Sequence, residues 1–150
     1  MQLREFFHES AINLDLKATT KDDCLVEMIG LLGIDERASA TLFRMLRRRE
    51  SLGTTGVGRG FAIPHSRSLV ANRLRLAYGR SIAGIDYDAI DGKPVHHVFL
   101  IVAPPLEVSN QYLPVLGKIA QFAQAPDTAD RLMQITSAEQ FFALLAEKGV

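Results

Sequence analysis

The chain has 150 residues, the size of one ordinary domain, with 47% hydrophobic and 23% charged residues, the balance of a packed core rather than a disordered tail. Lys plus Arg and Asp plus Glu are 17 each, for a formal net charge of 0. Such a balance supplies no global field for a nucleic acid or an anionic membrane. One cysteine, Cys24, and an N-terminus without a signal-like run point to a reducing cytoplasm. No uncharged apolar stretch reaches membrane-spanning length; Val95 to Leu106 comes nearest and is broken by two histidines and two prolines.

Without repeat, linker or low-complexity tract, the chain reads as one domain over 1–150. Ile12, Leu14 and Leu16 alternate with polar residues, predicting an early half-exposed strand. Thr20 followed by Asp22 and Asp23 offers an N-cap for a helix with Leu25, Met28, Ile29 and Leu32 inward, ending near Gly33. Asp35 starts a second helix whose apolar stripe is Ala38, Leu42, Met45 and Leu46, with Arg44, Arg47, Arg48 and Arg49 loading its last turns.

Farther on, Leu74, Leu76 and Tyr78 alternate as a strand, and Asp91-Gly92 reads as a turn. Val98 to Val102 is a continuous β-branched and apolar run, expected at the centre of a sheet covered on both faces, and Pro104-Pro105 ends it. Helices follow on Tyr112, Leu116, Ile119 and Ala123, on a short segment from Asp127 to Gln134, and behind a Ser137/Gln140 capping box with Phe141, Phe142 and Leu145 inward. Strands interspersed with helices predict a layered α/β domain with helices on both sides of the sheet.

The segment Thr54 to Arg67 carries three glycines at alternate positions and then Ala62-Ile63-Pro64-His65. Glycines let backbone approach a ligand and array N–H groups around an anion. The spacing fits neither the phosphate-binding loop nor the dinucleotide fingerprint. His65 is the candidate nucleophile, since a neutral imidazole can attack phosphorus at neutral pH, and Pro64 fixes the backbone before it. Arg49, Arg59 and Arg67, with the hydroxyls of Thr54, Thr55 and Ser66, are candidate donors to a phosphoryl group. Composition and spacing leave open that His65 is an ordinary loop histidine. His96 and His97, adjacent on a strand, point to opposite faces and cannot hold one metal ion together; packing or hydrogen bonding is expected of both, and no metal or cofactor is required. Cys24 reads as a small core residue.

The runs GTTGVGRGFAIPHSR and GIDYDAIDGKPVHHVFLI resemble the EIIA component of the bacterial sugar phosphotransferase system, of the fructose/mannitol type that includes the nitrogen-related regulatory EIIA. The likeness covers about two-thirds of the chain by motif. It implies a single three-layer α/β/α domain with a mixed sheet. It also implies that His65 takes a phosphoryl group on Nε2 from the carrier HPr, or its nitrogen-branch counterpart, and passes it to an EIIB domain or uses it as a regulatory switch. Arg49 and Thr55 match family positions expected to contact phosphate. Two positions depart: Arg59 stands where many relatives carry Asn, and Tyr112 stands where a second histidine usually neighbours the first. A tyrosine hydroxyl donates a hydrogen bond but carries no positive charge. The chain's size, without a fused EIIB or HPr, tilts the expectation to the regulatory branch; a sugar-specific role and a protein-binding module with weak or no phosphotransfer are the alternatives.

Overall fold

The apolar run around Val98 is the middle of β6 (Val95–Ala103), which has neighbours on both edges. In the computed structural model, which describes residues 1–106 and 110–150, β5 (Arg75–Ile85) lies antiparallel along one edge of β6. Two short strands, β3 (Phe61–Ala62) and β4 (His65–Arg67), lie end to end and parallel along the other. β1 (Phe7–Asn13) runs parallel to β5, and β2 (Gly56–Gly58) antiparallel to β3, giving a mixed sheet of order β1-β5-β6-β3-β2 with β4 on β6.

Helices cover both faces. Side chains of β6 alternate, so Val98, Leu100 and Val102 pack with Leu25, Met28, Leu42 and Leu46 of α1 (Lys21–Gly30) and α2 (Glu36–Ser51). Phe99, Ile101 and Ala103 pack on the opposite face with α3 (Tyr112–Gln124), α4 (Thr128–Gln134) and α5 (Ala138–Glu147). The α/β/α layering is therefore as expected, and the helix starts rest on the expected caps: Thr20 Oγ1 accepts from Asp23 N at 3.3 Å, Asp35 Oδ1 from Ala38 N at 2.7 Å and Ser137 Oγ from Gln140 N at 3.1 Å.

The structure also corrects several local expectations. β1 ends at Asn13, before the predicted Leu14–Leu16 alternation, because the Asn13 side chain accepts from Asp15 N at 2.9 Å and turns the chain. Met45 leaves the α2 stripe for solvent, and Glu50 joins the buried side instead. Gln140 reaches back one residue farther than a capping box requires, its Oε1 accepting from Thr136 N at 2.8 Å. A short 3-10 helix, Leu3–Phe6, precedes β1 and buries Leu3.

A histidine on an interrupted edge strand

His65 opens β4, where the strand pairing along this side of β6 resumes after a break. β3 and β4 share one edge of β6, with Phe61 opposite His97 and His65 opposite Ile101, and Ile63-Pro64 lies between. Proline has no N–H to give, but its carbonyl still serves the sheet, accepting from Ile101 N at 3.0 Å, while Ile63 N donates to Thr55 O at 3.0 Å. The paired register puts the side chains of His65 and Arg67 on the face of Ile101, toward α3. There His65, half-buried, meets Tyr112, the first residue of α3, with ring centroids 6.3 Å apart and planes at 64°.

Its hydrogen bond fixes the chemistry of the ring. His65 Nδ1 lies 2.7 Å from the Ile63 carbonyl oxygen, which can only accept. The proton of the neutral imidazole therefore stays on Nδ1, and Nε2 carries the lone pair. Beside it, the Arg67 guanidinium stacks 4.4 Å over the Tyr112 ring and donates to Pro104 O at 3.1 Å. Burial pushes the Tyr112 hydroxyl up to about 12, against the opposing pull of Arg67 and Arg49, so both cations act on this point and the hydroxyl remains a protonated donor. Arg49 is held at the end of α2 by donating to Gly53 O at 2.8 Å. The positive end of the α3 dipole starts at Tyr112. An imidazole, two arginines, a phenol and a helix start thus meet around Tyr112.

The other candidates are placed elsewhere. Thr55 is 3% exposed and turned inward: its N donates to Glu50 Oε1 at 3.0 Å, its hydroxyl donates to Glu50 Oε2, and it shares a 2.9 Å hydrogen bond with Tyr87. Lys21 Nζ completes this cluster 3.1 Å from Glu50 Oε1. A hydroxyl committed to a carboxylate does not face an anion, so Thr55 positions the glycine loop. Arg59 adopts a left-handed φ of 60° in the turn between β2 and β3 and donates to Gln124 O at 2.8 Å. Gln124 ends the 13-residue α3, roughly 20 Å from its start at Tyr112, so Arg59 caps the far end of that helix. Arg47 is drawn to Asp22 at 3.5 Å. Thr54 Oγ1 accepts from Gly56 N at 3.1 Å, and Ser66 Oγ donates to Arg67 O at 3.0 Å. Of the arginines that cluster in sequence, Arg49 and Arg67 are the two tied to the histidine's surroundings.

His96 and His97 point apart. His96 Nδ1 is 2.8 Å from Ser81 O; His97, 1% exposed, is 2.8 Å from the Tyr78 hydroxyl and is pushed down to about 4 by burial. Cys24 is buried, which pushes its thiol up to about 12 and leaves it inert. Sequence reading missed Glu50, Lys21 and Tyr87; the available signal was a carboxylate four residues after buried Leu46, on the inward side of α2.

The family described as phosphoenolpyruvate-dependent sugar phosphotransferase system, EIIA 2, matches residues 5–148. The chain belongs to this family. The EIIA is 33% identical over 150 residues to a nitrogen regulatory protein of Bradyrhizobium diazoefficiens, covering 97% of this chain and 95% of the relative. It is 28% identical over 143 residues to the fructose-specific EIIABC component of Bacillus subtilis, spanning only 22% of that longer protein. Its fold matches the crystal structure of the nitrogen regulatory protein IIA-Ntr from Neisseria meningitidis with a TM-score of 0.85 at 33% identity, over 94% of this chain and 97% of that one.

Proposed function

We propose that His65 Nε2 is the phosphoryl acceptor of a phosphohistidine carrier. The observation that carries this reading is the 2.7 Å hydrogen bond from Nδ1 to Ile63 O, which in the neutral ring puts the lone pair on Nε2. HPr or a nitrogen-branch counterpart presents its own phosphohistidine. The new Nε2–P bond forms as the donor's N–P bond breaks, the electron pair returning to the donor imidazole. Arg49, Arg67 and the start of α3 neutralise the equatorial oxygens, and the Tyr112 hydroxyl donates to them; alignment and charge suffice, with no metal or nucleotide in the step. The group then passes to an EIIB domain or stays as a charge switch read by a regulatory target in the cytoplasm.

Exposed leucines suit the docking this requires. Leu52, Leu69, Leu106 and Leu113 are 81%, 91%, 90% and 70% exposed, on the four segments that carry Arg49, Arg67, Pro104 and Tyr112. Large exposed apolar side chains on these segments fit a transient protein interface. The near full-length likeness to a nitrogen regulatory protein favours the regulatory branch over sugar uptake. A protein-binding role with weak phosphotransfer is the second reading, and Tyr112 favours it, since a phenol supplies no positive charge.

Incubation with phosphoenolpyruvate, EI and HPr or its counterpart, followed by intact mass measurement, tests the first reading. The wild type is expected to gain one acid-labile phosphoryl mass and His65→Ala none. A wild type that gains nothing sinks it, as does a His65→Ala protein that still gains the mass.

A further inference from the structure

Where β1 and β5 begin lies an open cleft of about 530 Å³. Phe6, Phe7, Leu74 and Leu106 give it apolar walls, and Arg73 and Arg75 line it together. Both arginines are without a carboxylate partner among the described residues. The acidic wall residue, Glu5, is already engaged, since its carboxylate accepts from Gln2 N at the start of the 3-10 helix. His8 is taken up with Ser10 Oγ at 2.6 Å. Burial, and after it the charge of Arg73, holds the Arg75 guanidinium below its ordinary pKa. Two like charges with no ion pair of their own among the described residues are held at a cost that an anion reduces.

We propose that this cleft binds a small organic anion, with its apolar body against Phe6, Phe7 and Leu74 and a phosphate or carboxylate head on Arg73 and Arg75. The site has a route to His65. Pro104 also lines the cleft, and its carbonyl receives the Arg67 hydrogen bond that accompanies the stack on Tyr112. A ligand pressed against Pro104 shifts the segment that holds Arg67, and so changes phosphotransfer. That coupling rests on the proposed function of His65; the binding does not.

The test is a titration of the isotope-labelled full chain, followed by amide chemical shifts, with phenyl phosphate, phthalate, inorganic phosphate and benzyl alcohol. Phenyl phosphate or phthalate is expected to shift residues 5–8 and 73–75, and whichever binds more tightly identifies the head group. Arg73→Ala with Arg75→Ala is expected to weaken that binding by about tenfold or more. Arg73→Glu alone, at an exposed position, is expected to do the same without threatening the fold. Unchanged affinity in Arg73→Glu, equal binding of benzyl alcohol, or shifts confined to His65, Arg67 and Tyr112 would each overturn the cleft. A phosphorylation rate unaltered by saturating ligand removes the coupling and leaves the cleft. Absence of any phosphoryl transfer to His65 sinks the proposed function and leaves the binding result intact.

Discussion

At His65 the fold selects a tautomer before any partner arrives. Nδ1 donates to Ile63 O, so in the neutral ring the lone pair lies on Nε2. Tyr112 then decides how the neighbouring charge is held. Its ring is the platform for Arg67, and a cation–π stack is worth about 0.5–1 kcal/mol at a partly exposed site. Tyr112→Leu, which removes both the platform and the hydroxyl, is expected to slow phosphorylation of His65 by roughly two- to fivefold or more in a rapid-quench assay. Tyr112→Phe keeps the platform and is expected to lose less. Tyr112→His restores a second imidazole beside the first and is expected to change the phosphotransfer rate or phosphohistidine lifetime on the order of tenfold. Identical kinetics in all three would show that Tyr112 only fills space.

The glycine loop is held as an element from beneath. Glu50 on α2 ties Thr55 N, Thr55 Oγ1 and Lys21 into one buried cluster with Tyr87, and this fixes the entry to β2. Glu50→Ala is expected to lower stability by about 3 kcal/mol, because it strands buried donors and a half-buried ammonium. The denaturant midpoint should fall accordingly, with less loss for Glu50→Gln. Gly56 opens β2 against the backbone of Ala89: a Cβ there would lie 2.8 Å from Ala89 Cα. Backbone cannot swing aside as a side-chain tip can, so Gly56→Ala is expected to cost about 1–3 kcal/mol and to disturb the loop before His65. Unchanged thermal stability in Gly56→Ala would contradict the close approach.

Across the molecule, pH acts through groups buried in neutral form. His97 lies in the α3–α5 layer between Phe61 and Tyr78, and burial lowers it to about 4. The unfolded chain takes up that proton near pH 6.5 and the native one does not. Stability therefore falls as pH drops from about 6.5 to about 4, by on the order of 3 kcal/mol. His97→Gln, which can accept and donate without titrating, is expected to flatten that limb in urea melts taken across the range. All three tyrosines are raised by burial, Tyr112 to about 12. The unfolded chain ionises near pH 10, so stability also declines above that pH. Ultraviolet titration should show little tyrosinate until the fold is lost. Arg80 joins the layers: its guanidinium donates to Leu14 O at 3.1 Å and to Leu132 O and Ile135 O at 2.9 and 2.6 Å, fastening the end of α4 to the sheet.

Much of this architecture was legible in one dimension. Caps at Thr20, Asp35 and Ser137, the doubly covered β6 run and the restricted backbone that leads through Pro64 to His65 are local, written in propensity, periodicity and backbone restriction that neighbouring residues alone impose. The local signal singled out His65 as a candidate, and the resemblance of its motif to a family gave that candidate its proposed role. Which charges surround it was not local. Arg47, Arg49, Arg59 and Arg67 look alike in sequence, yet one turns to Asp22, one caps the far end of α3 and two act on Tyr112. Thr55 likewise reads as an anion contact until Glu50 comes into reach. Long polar side chains are directed by partners distant along the chain, and those partners exist only once the sheet and its two helical layers have brought them together.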